Sequence, residues 1–276
     1  MLSVGADRRS TVRWTSMHMP RSAAALGVSN NLPVSQDRIA RKDGRLQRNQ
    51  PLMRKYEVAH LTKDGLCHEF QKTAPAHPLF EEAFSAFARG LLFQTENGPI
   101  AVEDLWPGDR IRTANGRLRT LMWKGSMMIV PHVASETTSM IRVGTEALGL
   151  HRPSHDTMFG PSARVFHTSP RIRAFNGQDG AFVPLADLVD GDGIIEITPM
   201  APVQVFHLGF ATHERLSVAG LEVESYHPGA PHRFPLRGEL LDMFMPLFPH
   251  MRDLGDFGMD CQPRLRMADL TVFDVA

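Results

Sequence analysis

FARGLLFQTENGPIAVEDLWPGDRIRTANG, residues 87–116, alternates short extended runs with turn residues. Leu91–Thr95, Ile100–Leu105 and Ile111–Thr113 are the runs, divided by Asn97-Gly98 and Pro107-Gly108-Asp109 and closed by Asn115-Gly116. Asn-Gly between apolar runs is a strong hairpin cue, because both residues tolerate the positive φ that a tight hairpin turn needs. Val102-Glu103-Asp104-Leu105 is too short for a helix and reads as one turn feeding the Gly108-Asp109 bend. The stretch predicts a β-rich entry with tight corners.

The corner recurs further along the chain. Asp187-Leu188-x-x-Gly191-Asp192-x-Ile194 repeats Asp104-Leu105-x-x-Gly108-Asp109-x-Ile111, and both copies lead into an extended run. A solenoid needs several short repeats; two distant copies suit two similar β subunits packed into one domain. Gly-Asp turns are also common on their own. Pro202–Tyr226 reads as three further strands with corners at Gly209–Thr212 and Ala219-Gly220.

Ahead of residue 87, Lys55–His60 and Leu66–Gln71 alternate in polarity around Lys63-Asp64-Gly65 and predict a hairpin. Apolar residues at 79, 80, 83, 84, 86 and 87 have the spacing of a short amphipathic helix over Leu79–Phe87. Near the end, Glu239–Met245 reads as a short helix stopped by Pro246, with Leu240, Leu241, Phe244, Leu247 and Phe248 expected to pack back on the β body.

Taken together, residues 86–230 resemble a Hint domain, the hedgehog/intein autoprocessing fold, in the form found in bacterial Hint-domain proteins. That form runs Cys-Phe-x-x-Gly-Thr-Leu, Thr-x-x-Gly and Val-Glu-Asp-Leu-x-x-Gly-Asp, then Ser-Pro-x-His-Arg and a closing stretch with His, His-Glu and Glu-Ser-Phe. The matches are Phe87, Gly90, Leu92, Thr95, Gly98, Val102, Glu103, Asp104, Leu105, Gly108 and Asp109, then Pro161 and Arg164, then His207, His213, Glu214, Glu224 and Ser225. The resemblance implies a mostly-β, pseudo-two-fold Hint-like fold, here with a leading β-hairpin and a short C-terminal helix.

The departures fall at the chemical positions. As the resemblance implies it, Hint chemistry starts with a thiol attacking the preceding carbonyl, helped by a Thr and a His of the middle block. A thiolate serves because it is nucleophilic near neutral pH and leaves well in the next step. Position 86 holds Ala86, Leu91 stands where Thr is usual, and Gly160 and Ala163 replace the middle-block Ser and His. Those side chains cannot polarise a carbonyl or protonate a leaving amine. Turn and packing positions are kept while reactive ones are lost, which predicts a fold without its reaction.

Three substitutes for the lost chemistry remain open. Ser85 precedes Ala86, but its alcohol needs an adjacent base, and its ordinary reading is a capping or polar hydroxyl. Cys67 is followed by His68, yet strand neighbours point to opposite faces, so Cys67 reads as a small core residue. His207, His213, Glu224 and His227 form a polar cluster in which His207, His213 and Glu224 are potential Zn ligands or, for His213 and Glu224, catalytic groups; the spacing matches no compact metal motif. The functions that follow are a degenerate binding or scaffold module, an autoprocessing domain with a non-standard nucleophile, and a metal-dependent hydrolase, in that order.

Composition fits one globular body with an unusual front. The 276 residues are 42% hydrophobic, enough for a sizeable core, and the formal net charge is zero. Residues 1–55 nonetheless carry nine Arg and two Lys against three Asp and no Glu, about +8 by count. We expect residues 1–52 to be a basic, disordered extension, 53–85 a hairpin and short helix, 86–230 the Hint-like domain, and 231–276 a helical or irregular tail. The front has the composition of an organellar transit peptide or a basic arm, and a start at Met53 is the plainer reading. Cys67 and Cys261 make no disulfide framework, no apolar run spans a bilayer, and no cofactor or specific nucleic-acid partner is expected. The expectation is a cytoplasmic monomer with a protein partner of unknown identity, secretion by a non-classical route being the other possibility.

Overall fold

The computed structural model describes residues 52–131 and 139–270; the basic extension of residues 1–51 lies outside them. The chain enters through the expected hairpin, β1 (Met53–Leu61) and β2 (Cys67–Pro75), which runs further than the sequence pattern at its open end, to Met53 and Pro75. Helix α1 (Pro78–Glu82) follows, its first turn capped by the His77 ring, which accepts from the Leu79 amide at 3.2 Å. The helix stops before Ala86, contrary to the apolar spacing. The Ser85 hydroxyl donates to Glu81 O at 2.7 Å, and the Ala86 amide donates to Phe206 O at 3.0 Å, so strand pairing takes the chain out of the helix.

The first half then runs β3 (Phe87–Ala88), β4 (Leu92–Thr95), β5 (Gly98–Ala101), β6 (Arg110–Arg112), β7 (Leu118–Thr120) and β8 (Trp123–Ile129). The second half runs β9 (Met140–Val143), β10 (Thr157–Phe159), β11 (Arg164–Thr168), α2 (Pro170–Asn176), β12 (Gly180–Pro184), β13 (Ile194–Ile197), β14 (Val203–Gly209), β15 (Arg215–Val218) and β16 (Leu221–Glu224). Three sheets result: an eight-stranded one in the order β13-β9-β10-β3-β14-β8-β1-β2, and two four-stranded ones, β12-β11-β16-β15 and β5-β4-β6-β7.

The large sheet is palindromic about the β10–β3 pair, where Phe159 lies opposite Phe87 in antiparallel register. Outward from that pair, β9 answers β14 and β13 answers β8. The small sheets follow the same rule, each built on a hairpin, β4–β5 or β11–β12, widened by a second hairpin. The repeated corner obeys it too. Val102 donates to Leu91 O and Leu185 donates to Ala163 O, both at 2.9 Å, and Val102, Leu185 and Ile111 are fully buried. Gly108 and Gly191 sit at φ +106° and +80°, backbone that an L side chain rarely adopts. The carboxylates differ: Asp109 accepts from the Trp106 amide, whereas in the second corner Asp190, not Asp192, accepts from the amides of Asp192 and Ile194.

Helix α3 (Glu239–Phe244) ends ahead of Pro246 as expected, and proline's fixed φ suits the 3₁₀ segment, Met245–Leu247, that follows it. Phe244, Leu247 and Phe248 are fully buried, so this apolar stretch packs back on the sheet as expected. A last short helix, α4 (Met267–Leu270), ends the described chain. No helix among the described residues is long and apolar enough to cross a membrane.

Phe84, one residue before the Ser85 junction, ties these layers together. Its ring centroid lies 4.8 Å from Tyr56, 5.3 Å from Trp123 and 6.3 Å from Phe248, so hairpin, sheet and tail meet on it. A Cβ at Gly125 would stand only 2.3 Å from the Trp123 ring and 2.6 Å from Phe84, so the position requires glycine. Phe84→Ala is expected to lower the unfolding free energy by about 3–5 kcal/mol in a urea titration. Met200→Ala, at a side chain 97% exposed, should change it by less than about 0.5 kcal/mol.

Candidate functional site

The peptide joining Ser85 to Ala86 is where the sequence would place the reaction, and the fold grips it on every polar atom. Ser85 O accepts from the Ser162 amide at 3.2 Å, the Ala86 amide donates to Phe206 O at 3.0 Å, and Ala86 O accepts from the Gly160 amide at 2.8 Å. Both residues are buried, at 0% and 1% exposure. A Cβ at Gly160 would lie 2.0 Å from Ser85 O, so a serine at this position cannot share this backbone. The glycine is therefore part of the closed packing around the junction.

The hydroxyls nearby are committed elsewhere. Ser85 Oγ gives its proton to Glu81 O and lies 3.1 Å from Ser162 Oγ, which is left as the donor between the two hydroxyls. A backbone carbonyl is no general base, so nothing here raises the nucleophilicity of Ser85. Ala163 is fully buried, and its carbonyl holds Leu185.

Glu224, on β16, is the centre of a second group. Its Oε1 lies 2.7 Å from Arg264 Nε and 3.1 Å from His213 Nε2, while Oε2 lies 3.4 Å from Arg164 Nε. Arg264 heads the causes that hold the Glu224 carboxyl down, to about 2, against the opposing effect of burial. A carboxylate ringed by two guanidinium groups and an imidazole is a stabilised ion, poorly suited to accept a proton. Arg164 also donates to Glu82 at 2.9 Å.

His207, on β14, packs between Phe87 and Tyr226, with ring centroids 5.3 Å away in each case. Burial depresses its pKa to about 3, and its Nδ1 finds no hydrogen-bond partner among the described residues. His207 and Glu224 line a small void of about 10 Å³, while Ser85 and Ser162 line a separate surface groove of about 390 Å³; Ser162, Arg164 and Glu82 border both. His213 is turned the other way, its Nδ1 accepting from the Cys261 amide at 3.1 Å. The fold thus joins His213 to Glu224 and sets His207 on the same small void as that carboxylate.

A different trio, His213, His227 and Asp260, brings one ligating atom each within 4.8 Å. The two rings are stacked, with centroids 4.8 Å apart and planes 23° from parallel, so their in-plane lone pairs run side by side and do not converge. The Nδ1 of His213 also accepts from the Cys261 amide and that of His227 from the Gly229 amide at 3.0 Å, with Asp260 Oδ1 2.9 Å from the same His227 nitrogen. This arrangement does not fit a tetrahedral metal.

Cys67 corrects the expectation of a core residue. It is exposed because β2 is the outer strand of the large sheet, with β1 as its only strand neighbour among the described residues. Cys261 is free and exposed as well, and burial of its surroundings pushes its thiol up to about 12. Sequence reasoning missed Arg264, Asp260 and Glu81. The available signal was Arg264-x-Arg266 after Pro263, two cations placed on one side of an extended segment.

The family model described as Hint domain matches residues 85–230, more than half of the chain, and the chain belongs to that family. It is similar in structure to a bacterial intein-like domain from Clostridium thermocellum, at 13% identity and a TM-score of 0.36, over 51% of this chain and 99% of that one. It is also similar to a splice-inactive form of the AceL split intein, at 9% identity and a TM-score of 0.33, over 51% and 97%. No curated protein matches the chain.

The buried histidine gives a pH signature. Unfolded His207 takes up a proton near 6.5, whereas the folded residue resists it down to about 3, so stability falls as pH drops through this window. His207→Phe should remove up to one proton of slope, about 1.4 kcal/mol per pH unit, from urea unfolding measured between pH 7 and 4. Identical pH curves for the two proteins would count against a neutral, buried His207. Glu224 acts in a lower window, from 4.5 to about 2, and is left in place by the substitution.

Proposed function

We propose that this Hint-family domain has given up self-cleavage and serves as a binding or scaffold module. The observation that carries the reading is the Ser85–Ala86 peptide, whose carbonyls and amide are built into the backbone network and whose second residue has no nucleophile. The fold's recurring corner, its palindromic sheet and its aromatic core do not depend on the lost groups. We further propose that the chain acts in the cytoplasm as a monomer, with a protein as its partner.

Self-processing through Ser85 is the second reading, favoured by the position of that hydroxyl beside the junction. It would require the hydroxyl to leave Glu81 O and find a base, and Ala163 offers none. Hydrolysis by a bound metal has the least support, because the Glu224 carboxylate is occupied by Arg264 and Arg164.

Intact mass spectrometry of the freshly purified chain should give a single species at 30.8 kDa, unchanged by hydroxylamine or dithiothreitol. Fragments ending at Ser85 would overturn the inactive reading. Ala86→Cys restores the thiol alone, and we expect it to remain intact in hydroxylamine because Gly160 and Ala163 still lack a proton donor. Cleavage of that variant between residues 85 and 86 would mean that the site is less dismantled than its side chains indicate.

A further inference from the structure

β12 is the edge strand of its sheet, and the tail occupies that edge. Phe182 donates to Pro263 O at 2.8 Å and Leu265 donates to Phe182 O at 3.0 Å, a parallel bridge that adds residues 263–265 as a short extra strand. Side chains of an extended segment alternate in direction. Arg264 reaches inward to Glu224 at 2.7 Å and to His227 O at 2.6 Å. Arg266 meets Asp187, its Nε 2.9 Å from Oδ2, and Asp187 also accepts from the Met267 amide. Between them, Leu265 packs on the apolar cluster of Ile172, Ala181 and Val183, which Leu270 completes.

The receptor is shaped for a guanidinium. Glu224 and the His227 carbonyl accept from two different nitrogens of Arg264, a forked geometry that a single ammonium cannot reproduce. Gly229, at φ +87°, passes close to the guanidinium: a Cβ there would stand 3.4 Å from Arg264 Nη1, in ordinary contact. Two acids, one backbone edge and one apolar pocket read alternate positions of one extended segment, the pattern of peptide recognition by strand addition. The link from the body runs through Gly258, at φ +78°, and Met259, 88% exposed.

We propose that the β12 edge, with Glu224 and Asp187, is a binding site for an extended peptide bearing arginines two residues apart, and that the chain's own Pro263–Met267 is its built-in occupant. Arg266 also borders the groove that holds Ser85 and Ser162. The tail therefore closes the site in cis, and a segment of the same pattern from a partner would enter by displacing it. This deepens the binding-module reading of the domain and rests on it.

The test uses the full chain with a protease recognition sequence inserted after Met259 and then cut, and a fluorescent synthetic peptide of residues 260–270. The cut protein should keep its near-UV spectrum and exchange its tail for the peptide. Arg264→Ala, Arg264→Lys and Arg266→Ala peptides should each bind at least about tenfold more weakly. A second measurement needs no insertion: the uncut chain carrying Arg264→Ala and Arg266→Ala should capture the labelled peptide at least about tenfold better than the parent chain does. Unfolding on cutting would make the tail part of the core and overturn the proposal, as would equal binding of the arginine-free peptides or no capture by the double variant. Self-cleavage would appear separately, as fragments split at 85–86 in the mass spectrum of the same sample.

Discussion

Three backbone hydrogen bonds hold the Ser85–Ala86 peptide between the halves of the domain, and most of the fold is arranged around that grip. Ser162 and Gly160 belong to the segment between β10 and β11, and Phe206 to β14, so one peptide unit is pinned by two separate parts of the second half. The Phe87–Phe159 pair lies immediately beside it, at the centre of the palindromic sheet. Buried amides and carbonyls must be paired, and here the Ser85 carbonyl and the Ala86 amide and carbonyl are paired with backbone groups of the second half. The close approach of Ser85 O to Gly160 makes this arrangement exclusive of the family's serine at that position.

Electrostatics reinforces the grip from behind. Glu224 would be costly to bury alone, and Arg264, Arg164 and His213 together offset that cost. One of these partners arrives from the tail, well beyond residue 230. The family match ends before Arg264, one of the residues that balance this buried acid. The ionic network thus links the buried Glu224 carboxylate to the edge of β12.

Much of the fold was legible in local chemistry. The hairpin before residue 76, the corners at Gly108 and Gly191 and the three strands of residues 202–226 announce themselves through alternation and through positive-φ glycines. The halting of α1 before Ala86 was not legible, because the apolar spacing of residues 79–87 serves a helix and a buried strand equally well and a distant carbonyl, Phe206 O, decided it. The exposure of Cys67 depended on sheet order, which no local pattern reports. Of the polar cluster, the His213–Glu224 contact was foreseeable from residue type, but the packing of His207 between Phe87 and Tyr226 and the entry of Arg264 are tertiary facts. Proton sharing at the site follows from which backbone amides reach it, and those come from segments tens of residues away.

Amide hydrogen exchange of the native protein, read residue by residue by NMR, tests the central claim most directly. If the Ser85–Ala86 peptide is a structural strut, the amides of Ala86, Gly160 and Ser162 will exchange only through global unfolding, with the protection of the core amides of Phe206 and Val205. Exchange of these three amides at the faster rates of exposed loops would contradict the account, because it would reveal a junction that opens while the rest of the domain stays folded.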